Sequence, residues 1–283
     1  MRLIEYRIIL PFAIDYYPLA DTYMYTRRME IGASEGENVE LLNDKIYDDE
    51  EGTVYYSSHV YHCYNRIPSA MKWLVPKSLS DFREESWTSY PRCWSRFIVD
   101  FLGDSFKVDI KTRQHEFINL ETINSNPCDL TDDELNIREI RYIDILQTDP
   151  KPEREEWNLD GFSFEEAGIH TLHCYQTENY DFMKPPEWIK NYKGKMTLCA
   201  KVIKANISIW GFQTTAEKLV AENMAISIFL DSGRAQVALA EQWIHMSKDD
   251  INEIYMDVAR KVMNIAHEKE INDMKKKSWI SGY

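Results

Sequence analysis

Apolar and polar side chains alternate along residues 196–210, the clearest periodic stretch of the chain. A period of two predicts a β-strand with one buried face. The alternating positions are Ile203, Ala205, Ile207 and Ile209 against Lys204, Asn206 and Ser208. Shorter apolar or Val- and Tyr-rich runs predict further strands at 3–10, 39–46, 53–63, 94–101, 106–112 and 140–146.

Helices are predicted from capping residues and from apolar positions spaced three or four apart. One helix begins at Asp15, a favourable N-cap, and runs to about Met29. Residues 214–217 have the sequence of a capping box and predict a long helix, which Gly233 breaks or bends. Ser247 caps the last helix. Its apolar stripe comprises Ile251, Ile254, Tyr255, Val258, Val262 and Ile265.

The remaining segments predict one α+β domain over residues 1–283. Residues 69–75 form a short apolar run between two prolines, and residues 147–195 are polar and read as a long loop. Strands joined by short turns, with late helices, favour a curved antiparallel sheet wrapped on helices. Such a sheet either closes on a filled core or grips a helix around a hydrophobic cavity.

Composition narrows the range of functions. The net charge of −14 argues against nucleic-acid binding and against tight adhesion to anionic membranes. Five scattered cysteines without a C-x-x-C motif indicate reduced thiols in a cytoplasmic protein. No apolar run approaches the ~20 residues that span a bilayer.

Residues 52–93 contain most of the candidate chemistry. If 53–63 is a strand, Ser57, His59 and Tyr61 share one face, which is either a wet surface or the polar end of a ligand cavity. Two H-x-x-H-C motifs, beginning at His59 and His170, are reminiscent of zinc ligation. Positions i and i+3 of a strand face opposite sides, so ordinary histidines and no metal are expected. Cys93 is either a nucleophile or, in our reading, a buried thiol.

Several short segments, taken together in their order and spacing, are specific. They are Glu5-Tyr6-Arg7, Ile9-Leu10-Pro11, Tyr61-His62, Tyr90-Pro91, Cys93, residues 142–145, Trp210-Gly211-x-Gln213 and Asp249-Asp250-Ile251. These segments resemble the class I phosphatidylinositol transfer proteins, which carry one phospholipid in a START-like helix-grip fold. The resemblance covers nearly the whole chain and is weakest at 147–195, where the family has a regulatory loop.

The resemblance implies a headgroup site that differs from that of the family. The family holds the inositol ring with a Thr, a Lys, an Asn and a Glu. The matching positions here are Ser57, His59, Thr88 and Tyr255. Loss of the Lys and the Glu removes a strong donor and a strong acceptor, so selectivity for inositol should be weak.

Other family positions keep their chemistry. The family's two phosphate-binding threonines correspond to Ser95 and Thr112, both hydroxyl residues, and its cavity-lining cysteine corresponds to Cys93. The family's membrane-inserting Trp pair corresponds to Ile209 and Trp210, still an apolar wedge. Residues 247–283 correspond to the helix and tail that close the cavity.

The expected function is exchange of one glycerophospholipid between membranes. Phosphatidylcholine or another zwitterionic lipid is the expected cargo, with no cofactor besides it. The resemblance further implies a cytoplasmic monomer, transient membrane contact and no enzymatic activity. Two alternatives remain: a lipid-presenting or sensing protein that binds a partner through 147–195, and a hydrolase on the same scaffold that uses Cys93 or a histidine.

Overall fold

The predicted strands assemble into one large sheet in a computed structural model. The structure describes residues 1–34, 39–50, 52–62 and 81–262. The strands are β1 (Arg2–Leu10), β2 (Val39–Asp49), β3 (Gly52–His62), β4 (Asp81–Ser89), β5 (Arg92–Ile98), β6 (Phe106–Phe117), β7 (Glu139–Ile143) and β8 (Met196–Ile207). Their order in the sheet is β2-β3-β4-β5-β6-β8-β1-β7.

The helices occupy the positions expected for a sheet that wraps on helices. They are α1 (Tyr17–Ser34), α2 (Asp132–Ile137), α3 (Gln213–Lys218), α4 (Ala225–Ala238), α5 (Ala240–Trp243) and α6, described over 248–262. A π-helical segment, Leu219–Met224, joins α3 to α4. The short helix predicted at 69–75, Cys63, Ile265 and the predicted tail lie outside the described residues.

One strand pair departs from the expected antiparallel sheet. β7 pairs in parallel with β1, whereas the other pairs are antiparallel. β6 already runs in the direction of β1, because each is antiparallel to β8. The connection through α2 returns the chain to its starting end, so β7 joins the far edge as a parallel strand.

Strand β4 is absent from the sequence prediction. Its sequence, D-F-R-E-E-S-W-T-S, shows no alternation of apolar and polar residues, because the strand face that contains Ser86 is itself largely polar. Strands β5 and β6 also differ from their predicted limits, since β5 begins at Arg92 and β6 continues to Phe117.

Two predicted helix starts are wrong. Asp15 lies inside a 3-10 turn, and the residue before that turn, Ala13, makes no side-chain cap. The predicted capping box does not form either: α3 begins after Phe212 without a side-chain cap. Glu217 instead accepts from the Ile207 N–H at 3.3 Å and contacts the terminal amino group of Met1 at 2.9 Å. The Ser247 cap is confirmed, with Ser247 and Asp250 bonded reciprocally.

Gly233 does not break its helix, because α4 runs through it. A Cβ at this position would lie 2.9 Å from the Ile145 methyl group. Glycine therefore permits close approach of α4 to the end of β7. The irregular part of the long helix is instead the π-helical segment before α4.

Residues 147–195 form an irregular segment, as predicted, but one that is packed onto the core. Its regular structure consists of 3-10 turns, and Trp157, Leu159 and Leu172 are almost fully buried. The Asp144 carboxylate anchors it by accepting from the Trp188 indole N–H at 3.1 Å. Arg234 on α4 donates to the Ile145 carbonyl at 3.1 Å.

Helices α1, α4 and α6 lie over the concave face of the sheet. Beneath α4, Tyr6 and Ile8 fill the space, and the Tyr6 hydroxyl donates to the Ala221 carbonyl at 2.7 Å. Between the helices and strands β3 to β6 and β8 the space is open, and Ile8 and Leu10 of β1 also line it. The space between the sheet and the helices is therefore filled near one edge of the sheet and open over the rest.

Candidate binding cavity

The hollow is a cavity of about 740 Å³. This lies in the upper part of the range for small-molecule sites, roughly 300–1,000 Å³. The sheet supplies its floor, and α1, α4 and α6 supply its walls. Apolar side chains from both the sheet and the helices line it, including Leu10, Met24, Val108, Ile203, Val220 and Phe229. This interior can accommodate a large apolar ligand.

Strand register collects polar side chains into rows across the cavity floor. Thr88 pairs with Cys93, Cys93 with Thr112, and Thr112 with Lys201, on four consecutive strands. Directly paired side chains lie on one face about 5 Å apart. The Thr88 hydroxyl donates to the Cys93 sulfur at 3.4 Å, and the Lys201 ammonium donates to the Thr112 hydroxyl at 3.4 Å.

A second row lies two residues along the strands. It joins Ser57, Ser86 and Ser95, with the Ser95 hydroxyl donating to Ser86 at 3.1 Å. Ser95 and Thr112 thus lie on neighbouring strands and line the same cavity. The two rows and the carboxylate of Glu84 beyond them form a continuous band, which we call the polar seam.

Lys201 is the principal cavity residue that sequence reasoning missed. Burial lowers its pKa, but the Cys199 thiol and the Asp21 carboxylate outweigh this effect and hold the pKa above its ordinary value. Lys201 is therefore a cation at neutral pH. The alternation of β8 contained the signal that was missed. Lys201 is two residues before Ile203 on this strand, so both side chains lie on the same face.

The predicted headgroup residues do not all reach the cavity in the same way. Ser57, Thr88 and Tyr255 line it. His59 is 1% exposed and lies beside the lining residues, with its Nε2 3.3 Å from the Tyr255 hydroxyl. Burial lowers the pKa of His59 to about 4, so the ring is neutral at pH 7. His62 pairs with Asp81 and also lines the cavity, although alternate strand positions were expected to place it on the opposite face.

Glu84 and two tyrosines form a further cluster that sequence reasoning missed. Glu84 pairs with His59 across β3 and β4 and lines the cavity. The Tyr61 hydroxyl donates to the Glu84 carboxylate at 2.6 Å, and the Tyr25 hydroxyl lies 2.7 Å from that of Tyr61. Burial raises the pKa of Glu84 above its ordinary value, although hydrogen bonding to Tyr61 and Ser95 and the charge of Lys201 act in the opposite direction.

Cys93 lines the cavity, but its surroundings do not activate it. Burial raises the pKa of the thiol, and its hydrogen-bond contacts are the hydroxyls of Ser86 and Thr88. The thiolate is the nucleophilic form of cysteine, so a raised pKa makes this group unreactive at neutral pH.

An apolar tip lies at the start of β6 and the end of β8. Trp210 is 96% exposed and Phe101 is 75% exposed. The Ser208 N–H donates to the Ser105 carbonyl at 2.7 Å, which ties together the two loops that carry these rings. Ile209 is half-buried against the core, so Trp210 is the more accessible of the predicted pair. Within the described part of the chain, no helix has the length and apolar character needed to cross a bilayer.

Comparison with known proteins identifies the family. The family model described as phosphatidylinositol transfer protein matches residues 1–260. The chain belongs to this family. Its fold is accordingly START-like, an α+β helix grip, as the sequence predicted.

Curated relatives match along most of the chain. Phosphatidylinositol transfer protein 2 of Dictyostelium discoideum is 26% identical over 254 residues, covering 90% of this chain and 92% of that protein. Phosphatidylinositol transfer protein 1 of the same organism is 26% identical and covers 96% and 98%. Human membrane-associated phosphatidylinositol transfer protein 2 is 29% identical over 88% of this chain, which corresponds to 18% of that larger protein.

Proposed function

We propose that this protein carries one glycerophospholipid and exchanges it between membranes. The observation that supports this most is the combination of a large apolar cavity with a polar seam that bears Lys201. A two-chain lipid has the same division between apolar tails and a charged phosphodiester. The similar proteins are named phosphatidylinositol transfer proteins, and we extend the transfer of phospholipid to this chain.

The energetics of extraction require an enclosed site. Burial of one methylene is worth about 0.8 kcal/mol, so two acyl chains of about 30 methylenes would cost over ~20 kcal/mol to expose to water. A surface groove cannot replace that environment, whereas a cavity walled by α1, α4 and α6 can. Helix α6 lies over the cavity through Ile251 and Tyr255, and we propose that residues 247–283 act as its lid.

The polar seam favours a phosphodiester over an inositol ring. Lys201 and the hydroxyls of Ser95 and Thr112 provide charge-assisted and neutral donors suited to a phosphate. The inositol-binding Lys and Glu of the family are replaced by a neutral His59 and by Tyr255. We therefore propose a zwitterionic cargo, phosphatidylcholine or a related lipid.

Exchange also requires contact with a membrane. The net charge of −14 opposes stable adhesion to anionic lipid, so we propose brief contact through the apolar tip. Indole side chains suit the interface between headgroups and acyl chains. We propose that the carrier acts as a cytoplasmic monomer and is not an enzyme.

Native mass spectrometry of the purified protein tests this proposal directly. We expect one two-chain phospholipid per protein, and we expect vesicle assays to show transfer of labelled phosphatidylcholine faster than phosphatidylinositol. A protein that purifies empty and takes up no lipid from vesicles contradicts the proposal. Cleavage of the lipid that is abolished by Cys93→Ala supports the hydrolase alternative. Stable loading without exchange supports a lipid sensor.

A further inference from the structure

The two edges of the sheet differ in how they are covered. At the β7 edge, the Tyr142 N–H donates to the Phe182 carbonyl at 2.7 Å, and the Tyr180 hydroxyl donates to the Tyr142 carbonyl at 3.1 Å. At the opposite edge, no described strand pairs with the outer side of β2. The unpaired N–H and C=O groups of an edge strand are a template for another extended segment. The β2 edge therefore offers a place where a further strand can be added.

The side chains of β2 select the chemistry of such a segment. The strand carries four carboxylates and one lysine. That lysine, Lys45, lies over the Tyr56 ring at 5.0 Å, so it is held against the sheet. Leu42 is 49% exposed and Ile46 is 67% exposed. An acidic edge with exposed apolar side chains repels an acidic strand and favours a basic one that also carries large apolar residues.

A bulge limits the part of β2 that can accept a strand. The register with β3 shifts between Leu41 and Asn43. Bulges protect a sheet edge because they twist its unpaired groups away from a partner. From Asn43 to Asp49 the pairing with β3 is regular, which leaves seven residues. They span roughly 23 Å at 3.3 Å per residue, enough for a short added strand.

The chain itself contains a segment of complementary composition. Residues 275–280 have the sequence K-K-K-S-W-I and lie outside the described residues. We call them the basic segment. The described chain ends close to β2, because Val262 of α6 packs in one cluster with Val39, the first residue of β2. The residues between Val262 and the basic segment can span up to roughly 40 Å when extended, so the segment can reach β2.

We propose that the basic segment binds along the open edge of β2 as an added strand. Residues two apart in a strand share a face. Placing Trp279 opposite Ile46 pairs two large apolar side chains. Lys277 then falls opposite Asp44 if the strands are parallel and opposite Asp48 if they are antiparallel. Either direction therefore also pairs a lysine with a carboxylate. The inference concerns the free edge of the sheet and does not depend on the proposed cargo.

Hydrogen–deuterium exchange of the full chain tests the proposal, read on a peptide that covers residues 39–49. Amide protons on an unpaired edge exchange freely, whereas those bonded to a neighbouring strand are protected. A triple variant reverses the charge of the basic segment through Lys275→Glu, Lys276→Glu and Lys277→Glu. We expect the β2 amides of this variant to exchange at least about fivefold faster than those of the wild type.

A matched control separates local pairing from a general effect of charge. Lys190→Glu, Lys193→Glu and Lys195→Glu make the same change of charge at three exposed lysines of the irregular segment. Because these lysines lie outside the basic segment, the β2 amides of this control should exchange as in the wild type.

Charge reversal on β2 provides a rescue and reports the direction of the added strand. In the triple variant, Asp44→Lys should restore protection if the strands are parallel, and Asp48→Lys should restore it if they are antiparallel. Asp104→Lys is the control, because this fully exposed carboxylate lies in the turn before β6 and should restore nothing.

The outcomes are distinct from those that test the proposed function. Free exchange of the β2 amides in the wild type, unchanged exchange in the triple variant, or rescue by neither β2 reversal overturns the proposal. Protection that disappears on dilution assigns the added strand to a second copy of the chain. Protection that requires added phosphatidylserine vesicles assigns it to the membrane, and either result overturns binding within one chain. Absence of bound phospholipid contradicts the proposed function and leaves this test readable.

Discussion

Lys201 places a positive charge among hydroxyl groups and apolar side chains. Its ammonium lies 3.4 Å from the Thr112 hydroxyl and 5.4 Å from the centre of the Phe229 ring. The Asp21 carboxylate helps to keep the pKa of Lys201 above its ordinary value despite burial. A phosphate in the cavity would add an anionic acceptor for this ammonium.

We predict that Lys201→Met weakens phospholipid loading about ten- to a hundredfold. Hydrogen bonds to charged groups are worth about 1.5–3 kcal/mol, and methionine preserves the length of the side chain without its charge. Retention of labelled lipid after gel filtration measures the effect. Lys204→Met is the matched control, because Lys204 lies on the same strand but pairs with Glu134 at 2.9 Å outside the cavity. Equal loading by the two variants would contradict the role of Lys201.

The elements carry these residues in a fixed geometry because they pack closely. Helix α4 approaches the end of β7 at Gly233, where an added Cβ would meet the Ile145 methyl group at 2.9 Å. Ile145 is 1% exposed and lies in the main core, so it has little freedom to move aside. The position of α4, which forms one wall of the cavity, therefore depends on the absence of a side chain.

Gly233→Leu should lower the free energy of unfolding by about 1–3 kcal/mol, the usual cost of overpacking a core. Urea denaturation followed by circular dichroism measures this change. Ser227→Leu on the same helix is the control, because residue 227 is exposed and such changes usually stay within about 0.5 kcal/mol. If the two substitutions had equal effects, the close contact between α4 and Ile145 would not limit stability.

At the scale of the whole molecule, the cavity and the apolar tip must act together. The cavity stabilises a lipid that has left the bilayer, and the tip brings the protein to the bilayer. These are separate requirements, because Trp210 lies on a surface loop and is not among the residues that line the cavity. Loading and transfer should therefore be separable by mutation.

We predict that Trp210→Ala slows lipid transfer between vesicles by at least about tenfold while bound lipid is retained. Exposed Trp210 loses the apolar surface that would enter the bilayer, worth about 2–3 kcal/mol. Ile118→Ala is the control, since residue 118 is 68% exposed but follows the opposite end of β6. Normal transfer by the Trp210 variant would place the membrane contact elsewhere on the surface.

The sequence alone determined the strands with the clearest apolar patterns and the family to which the chain belongs. The alternation in 196–210 predicted β8, which ends at Ile207, and apolar runs predicted β1 and β7. Local patterns succeeded where apolar side chains are frequent along a strand, as in β1, which is buried along nearly all of its length. They failed at β4, whose cavity face is polar, and at α3, whose apparent capping residue Glu217 bonds to Ile207 and the terminal amino group.

The binding groups were decided only by tertiary structure. Lys201 reaches Thr112 through strand register, and Tyr25, Tyr61 and Glu84 meet because α1 lies over β3 and β4. These residues are distant along the chain, and each alone resembles an ordinary surface or core position. A cavity is likewise a property of the space between elements, so no local pattern of side chains specifies whether that space is filled or open.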